Sequence, residues 1–349
     1  LYRIFLDSDM QYSCAYFTRP GMTLEEAQKA KKDHIARKLL IKPGMRVLDI
    51  GCGWGGMALT LARDYGAHVT GVTLSENQLA TAQARAEAEG VADKVDFRLL
   101  DYRKIDETFD RIVSVGMLEH VGYPHLDEYF AKVDELLAKD GVSLIHSIGH
   151  VSEPAATSMW IDKYIFPGGY IPSLSEVSAA IERTGLWATD VEVLRGHYGT
   201  TLHHWRDRFE AALDQIRGMY DETFIRMWRF YLVVCEAAFE ETFQGVFHLQ
   251  LAHRQYAVPT TRDYLYSPGA ADALMHAAQE GHAAAVEALV RAGAALDATD
   301  KNGWTALMHT ALWGKGDAAA ALLKAGADPA AKATAGADAG KAALEIATK

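Results

Sequence analysis

The chain has 349 residues, of which 49% are apolar and 23% charged, with a formal net charge of −11. That length allows two domains, one of them with a substantial core, and the composition is ordinary for a soluble globular protein. The acidic balance gives nucleic acid no general electrostatic support, so no nucleic-acid partner is expected. Cys14, Cys52 and Cys235 show no paired spacing, which argues for reduced thiols in a cytoplasm and against a disulfide framework or a zinc site. No apolar run is long enough to span a bilayer, and no signal peptide is visible. The chain opens on Leu1 in mid-pattern and is read as a fragment lacking its natural N-terminus.

Residues 1–20 are rich in aromatics without a clean helical or strand period. They read as a packed loop, either a lid over a cofactor or an apolar arm against the core. Thr23-Leu24-Glu25-Glu26 is a capping box. It opens a helix that buries Leu24, Ala27, Ile35, Leu39 and Leu40, and Pro43-Gly44 stops it. Strands are predicted over 46–50, 68–74, 95–100, 111–115 and 142–147, with helices over 55–64 and from Ser75 to about 89. The Ser75-Glu76-Asn77-Gln78 sequence reads as a second capping box. This alternation predicts a doubly wound α/β fold with a mostly parallel sheet. Ligands bind outside the carboxyl ends of such strands. Those ends carry Gly51, Thr73, Asp101-Tyr102, Gly116 to His120, and His146 to His150.

Residues 152–185 interrupt the alternation and read as a helical insertion that covers the strand ends with aromatic surface. A sixth strand is predicted near 190–194, helices over 201–241, and a last strand over 246–251. After Ser267-Pro268-Gly269 the chain turns alanine-rich. Ala273-Leu274-Met275-His276 recurs as Ala306-Leu307-Met308-His309, and Ala292-Gly293-Ala294 recurs as Ala325-Gly326-Ala327. With a Gly-x-Thr-Ala-Leu opening at Gly303, that spacing resembles ankyrin repeats, with a partial third copy at 341–347. The domain boundaries read as 1–266 and 267–349. So few repeats are expected to be marginal alone, since each buries its core on its neighbours.

Val47-Leu48-Asp49-Ile50-Gly51-Cys52-Gly53-Trp54-Gly55-Gly56 is a buried strand running into a glycine turn and a helix. Glycine permits positive φ and close approach of a ligand to the main chain, and amides at the following helix start favour an anion. A dinucleotide site is one reading. The acid directly before the glycines is the form seen in methyltransferases that bind S-adenosylmethionine. There Asp49 would hold the turn and help meet the methionine ammonium.

Five further motifs narrow this. They are Met10-Gln11-Tyr12-Ser13-Cys14-Ala15-Tyr16, Gly71-Val72-Thr73-Leu74-Ser75-x-x-Gln78, Ser114 to Gly122 with its Met117-Leu118-Glu119-His120 core, His146-Ser147-Ile148-Gly149, and Tyr198-x-x-Thr201-Leu202-x-x-Trp205. Together they resemble the cyclopropane-fatty-acid synthase family over residues 1–266. Strand 2 ends in Thr73-Leu74-Ser75 without the usual ribose-binding acid, a departure this family shares.

The resemblance implies a class I S-adenosylmethionine-dependent methyltransferase fold, a Rossmann-like seven-stranded sheet. It implies transfer of a one-carbon unit to a cis alkene of an unsaturated phospholipid acyl chain at the membrane surface. The implied cofactor contacts are Tyr12, Ser13, Asp49, Gly51, Gly53, Thr73, Leu74, Gln78, Asp101, Tyr102 and His120. Bicarbonate is the implied proton acceptor. Its implied ligands are Cys14 and Ile148 through main-chain amides, His146 and Tyr198 as hydrogen-bond donors, and Glu119 as an acceptor. Tyr16, Trp160, Tyr164, Phe166, Tyr170 and Tyr198 are candidates for an aromatic wall. The resemblance further implies a cytoplasmic protein peripheral to the inner membrane, with a homodimer and a protein partner for the repeats among the expected assemblies.

Rival readings are a methyl-branched, hydroxylated or methylene product of the same cation, a small-amine N-methyltransferase, and an ankyrin-based binding module. Cys14 as a thiolate nucleophile is a further alternative. His197, His203 and His204 match no standard zinc spacing. No metal is expected, and these histidines are expected to face solvent or lipid headgroups. Arg195, Arg206 and Arg208 are read as a solvated basic face.

Overall fold

The computed structural model describes residues 1–291, 294–300, 303–334 and 338–347, without the side chains of residue 263 and residues 266–272. It divides into two compact units, Leu1–Val258 and Pro259–Lys349.

In the first unit, a short helix α1 (Tyr2–Phe5) and an extended arm lead to α2 (Leu24–Lys38). The alternation follows as β1 (Arg46–Ile50), α3 (Gly56–Tyr65), β2 (His68–Thr73), α4 (Glu76–Ala88), β3 (Val95–Leu99), β4 (Phe109–Val115), α5 (Leu126–Leu136) and β5 (Leu137–His150). The insertion holds α6 (Met159–Tyr164) and α7 (Leu174–Glu182). The unit ends with β6 (Trp187–Leu194), α8 (His197–Ala211), α9 (Leu213–Arg217), α10 (Glu222–Glu241) and β7 (Gln244–Ala252).

The strands form a seven-stranded sheet in the order β3-β2-β1-β4-β5-β7-β6. β1 pairs in parallel with both β2 and β4, while β7 runs antiparallel to β5 and β6. The chain turns to opposite sides of β1 to make β2 and β4, so the switch point opens a crevice at the carboxyl ends of β1 and β4. Leu48, Ile50, Ile112 and Ile145 point to one buried layer, and Val47, Val113 and Leu144 to the other. Both sheet faces are therefore covered, as a parallel sheet requires.

The Thr23 capping box is formed in full: Thr23 Oγ1 accepts from Glu26 N–H, and Thr23 N–H donates to Glu26 Oε2 at 2.8 Å. Leu24, Ala27, Ile35 and Leu39 are buried as expected, whereas Leu40 is only partly covered. The same face also buries Gln28, Lys31, Lys32, His34 and Lys38. The second box forms by half. Ser75 Oγ caps Gln78 N–H, but the Gln78 amide oxygen accepts from Thr73 Oγ1 at 2.8 Å instead of returning to the Ser75 amide. A capping box not foreseen, Ser173 with Glu176, starts α7.

The second unit contains α11 (Asp263–Glu280), α12 (Ala283–Arg291), α13 (Ala306–Leu312), α14 (Gly316–Lys324) and α15 (Ala343–Ala347). Its core is built by Leu274, Val286, Leu307, Met308, Leu322 and Ile346. Equivalent positions of the repeating sequence thus meet, the expected way for repeats to cover one another. The expected boundary after residue 266 falls inside α11. The Ala292-Gly293 pair lies outside the described residues.

Candidate active site

A cleft of about 830 Å3 lies at the switch point. All eleven residues expected to touch the cofactor line it: Tyr12, Ser13, Asp49, Gly51, Gly53, Thr73, Leu74, Gln78, Asp101, Tyr102 and His120. Gly51 and Gly53 hold φ of 78° and 54°, a region other residues enter at a cost. The amides of Gly51 and Cys52 both donate to the Val72 carbonyl at 3.0 Å, which fastens the turn to β2. Asp49 is buried, and Oδ2 has no protein partner. Burial pushes its carboxyl up to about 7, with the Lys31 charge acting the other way. A buried acid without a cation of its own is suited to meet an ammonium group. Asp101 is held ionised by Arg103, whose guanidinium lies 2.6 Å away.

The N-terminal arm closes one side of this cleft. Lys31 is fully buried and donates to Gln11 Oε1 at 2.7 Å and to Ser13 Oγ at 2.8 Å. Gln28 donates to the Ser13 carbonyl at 2.9 Å. Asp9 pairs with Lys32 at 2.5 Å and with Arg85, which also donates to the Trp54 carbonyl. The arm is thereby tied to α2, α4 and the glycine turn at once. Lys31 was missed in the sequence. The signal was a lysine on the apolar stripe of α2, in register with Leu24, Ala27 and Ile35.

The five residues expected to serve the proton acceptor do not line the cleft. Cys14, Glu119, His146 and Tyr198 are buried and Ile148 partly so, and the five fall in two groups. Glu119 sits in a 3-10 turn after β4 (Leu118–His120), and its Oε1 accepts from Ile148 N–H at 2.7 Å. The Ile148 amide is thus engaged by protein, which corrects its expected role as a free donor. Glu119 Oε2 is buried with no partner, and burial raises this carboxyl to about 7. His146 lies on the same strand face two residues before Ile148, with Nδ1 bonded to His248 Nε2 at 2.8 Å.

The second group is Cys14 and Tyr198. Ala15 N–H donates to Thr201 Oγ1 at 3.0 Å, which seats the arm on α8 next to Tyr198. Cys14, Tyr198 and Ile148 pack in one apolar cluster, and Glu119 is close enough to Tyr198 to act on its phenol electrostatically. Burial drives the Cys14 thiol far above its usual range. A thiolate nucleophile needs the opposite shift, so the thiolate alternative finds no support.

The sequence model for mycolic acid cyclopropane synthetase matches residues 1–249. The chain belongs to that family. A cyclopropane-fatty-acyl-phospholipid synthase of Escherichia coli is 46% identical over 239 residues, covering 68% of this chain and 61% of the relative. A probable fatty acid methyltransferase of Pseudomonas putida is 44% identical over 277 residues, covering 76% of this chain and 70% of the relative. A mycolic acid cyclopropane synthase solved with SAH and CTAB superposes with a TM-score of 0.68 at 34% identity, over 72% of this chain and 92% of that one. The chain thus spans between three-fifths and seven-tenths of the two curated relatives. The model for ankyrin repeats matches residues 237–333.

Around the family's cleft, the aromatic candidates separate. Phe166 packs against Tyr12, His120 and Tyr231, and Tyr198 against Trp205 and Phe239. Tyr12 and Tyr231 share a hydroxyl hydrogen bond of 2.8 Å. Tyr16 instead stacks on His34, Tyr164 is half exposed, and Tyr170 bonds Glu176. Tyr231 was the unforeseen member, because α8 and α10 meet only in the fold; Trp205 stands in the Tyr198 motif but not among the wall candidates.

The histidines and arginines of α8 are a solvated face only in part: His203 is exposed, as is Arg195 just before the helix, while His197, His204, Arg206 and Arg208 are half-buried. His197 Nδ1 accepts from Phe17 N–H at 3.1 Å, His204 stacks on Phe17, and His203 pairs with Glu236 at 2.9 Å. Arg206 pairs with Glu236, and Arg208 with Glu25 and the Leu6 carbonyl. They brace α8 against the arm, α2 and α10.

Proposed function

We propose that the protein transfers a methylene unit from S-adenosylmethionine to a cis double bond of an unsaturated phospholipid acyl chain, forming a cyclopropane ring. The observation that carries this reading is the buried Glu119 acceptor, open at Oε2, beside an aromatic chamber that adjoins the cofactor cleft. The alkene attacks the sulfonium methyl and becomes a carbocation. A proton then leaves the transferred methyl, and the C–H electron pair closes the ring. Ring faces stabilise a cation by about 0.5–2 kcal/mol each, and apolar walls keep out the water that would quench it. Tyr12, Phe166, Tyr198 and Tyr231 supply those faces.

The residues present fit a small oxyanion as base. Among the described residues, the Cys14 amide, Tyr198 hydroxyl, His146 Nε2 and Glu119 Oε2 have no protein hydrogen-bond partner. Bound bicarbonate would supply the proton acceptor there. Cys14 N–H and Tyr198 O–H would hold it, and Glu119 would orient it. The Ile148 amide would act through Glu119.

The acyl chain would come from a membrane surface. Met159, Tyr164, Phe230 and Val233 expose apolar surface on α6 and α10, and Trp160 packs on Phe230 with ring centroids 4.6 Å apart. These helices flank Phe166 and Tyr231, so this face continues the chamber outward. No helix among the described residues is long and apolar enough to cross a membrane.

The Pseudomonas putida relative is named a probable fatty acid methyltransferase, which suits a second reading, in which the same cation takes a hydride from a separate reductant such as a reduced nicotinamide and becomes a methyl branch. Mass spectrometry of lipids from cells expressing the chain separates the two. Acyl chains gaining one methylene in place of the alkene, resistant to ozonolysis and bearing cyclopropyl protons by NMR, support the first. Branched chains select the second. Unchanged lipids reject both.

A further inference from the structure

His146, His248 and Glu192 stand in one cross-strand row on β5, β7 and β6. His146 is register partner to His248, and His248 to Glu192. Both imidazoles are buried, His248 completely. His146 Nδ1 and His248 Nε2 share a hydrogen bond of 2.8 Å. His248 Nδ1 is buried without a partner and lies 3.9 Å from Glu192 Oε2. From α2, His34 Nε2 meets the same Glu192 oxygen at 2.7 Å, and the Lys38 ammonium lies 2.7 Å from it and 2.9 Å from Asp190. No step of the proposed chemistry uses His248 or Glu192, yet with His146 they form a polar row across three neighbouring strands.

We propose that Glu192 and His248 are positioning residues that fix His146 as its Nδ1–H tautomer, so that Nε2 is turned toward the chamber as a hydrogen-bond acceptor. This rests on the reading of the chamber as the reaction site.

A neutral imidazole carries one N–H, and burial keeps both rings neutral by depressing their basicity. One proton serves the His146–His248 bond. Were it on His248 Nε2, the bare lone pair of His248 Nδ1 would face the Glu192 carboxylate. Placed on His146 Nδ1, it leaves His248 with Nδ1–H, whose dipole points at that carboxylate. The second arrangement is favoured by charge and dipole alone. It is the logic of a carboxylate that selects a histidine tautomer, relayed through one more ring.

The groups facing His248 are His146, Glu192, His34, Lys38 and, by its field, Lys31. Glu192 is the anion among them. His34 and Lys38 both donate to it, and Lys38 already supplies the positive charge that a metal ion between His34, Glu192 and His248 would bring. A bare His146 Nε2 accepts from an O–H in the chamber. Its polarity is the reverse of the donor role expected from the sequence.

The test is the 15N spectrum of the full chain labelled with [15N]histidine, without cofactor, with His146 assigned by loss of its signals in His146→Gln. The expected result is a protonated Nδ1 and an unprotonated Nε2. Glu192→Gln should mix the two tautomers and lower kcat by about 10–100-fold, with KM for S-adenosylmethionine unchanged. Because Lys38 loses one of its two counter-charges there and keeps Asp190, Lys38→Met/Glu192→Gln provides a second variant in which that cation is removed as well. It should also show mixed tautomers. Glu192→Asp should restore the wild-type tautomer. A protonated Nε2 in the wild type, or an unchanged tautomer in both charge-removing variants, overturns the proposal. The spectrum reads this independently of whether lipids are modified.

Discussion

The Ile148 amide donates to Glu119 Oε1 at 2.7 Å, and this leaves Oε2 as the buried acceptor of the chamber. The strand end thus aims one carboxylate oxygen by fixing the other. Glu119→Gln keeps the shape and can keep the Ile148 bond, but places a neutral amide in the chamber. Turnover is expected to fall by about 100-fold or more, while the dissociation constant for S-adenosylmethionine changes less than about threefold. Turnover assay and calorimetry check the two halves.

Lys31 ties Gln11 and Ser13 of the arm to α2. Lys31→Met removes both bonds but retains the apolar stem. Hydrogen bonds to a charged group contribute about 1.5–3 kcal/mol. The arm should loosen, and binding of S-adenosylmethionine should weaken by about tenfold or more, read by calorimetry. Equal affinity would show that the arm does not need this anchor.

Gly51 holds φ of +78°, and a Cβ there would meet Met117 Cγ at 2.8 Å. Gly51→Ala therefore brings backbone strain of about 1–3 kcal/mol together with a clash in the cleft. Both the urea midpoint and cofactor affinity should drop.

The Asp49 carboxyl is raised from 3.8 to about 7 by burial. Between those values the folded chain holds a proton that the unfolded chain has released. Stability of the cofactor-free protein from this group is therefore highest in acid and declines as pH rises toward 7. Asp49→Asn removes that decline. The stability of Asp49→Asn relative to wild type should rise between about pH 4 and pH 7 and then level off. Urea denaturation at several pH values measures it, and a constant difference would contradict the assignment.

The first compact unit ends at Val258, a residue of its own core. Truncation after Val258 is expected to leave an independently folded unit with the lipid-modifying activity of the parent chain. Loss of activity with retained folding would show that the repeats contribute to catalysis.

The sequence by itself determined the α/β fold, the repeat segment and the residues that line the cleft. These are local signals. Asp49 to Gly56 must turn wherever it is placed, and alternation of apolar segments sets a parallel sheet. The buried polar network was decided only in three dimensions. None of Lys31, His34 and Lys38 on α2, nor His248 and Glu192 on their strands, was singled out from the sequence. Only sheet register brings His146, His248 and Glu192 into line, and only the packing of α2 over that row pairs its cations with buried acceptors. A buried charge is stable when its partner is adjacent, and adjacency across strands far apart in the chain is a property of the fold.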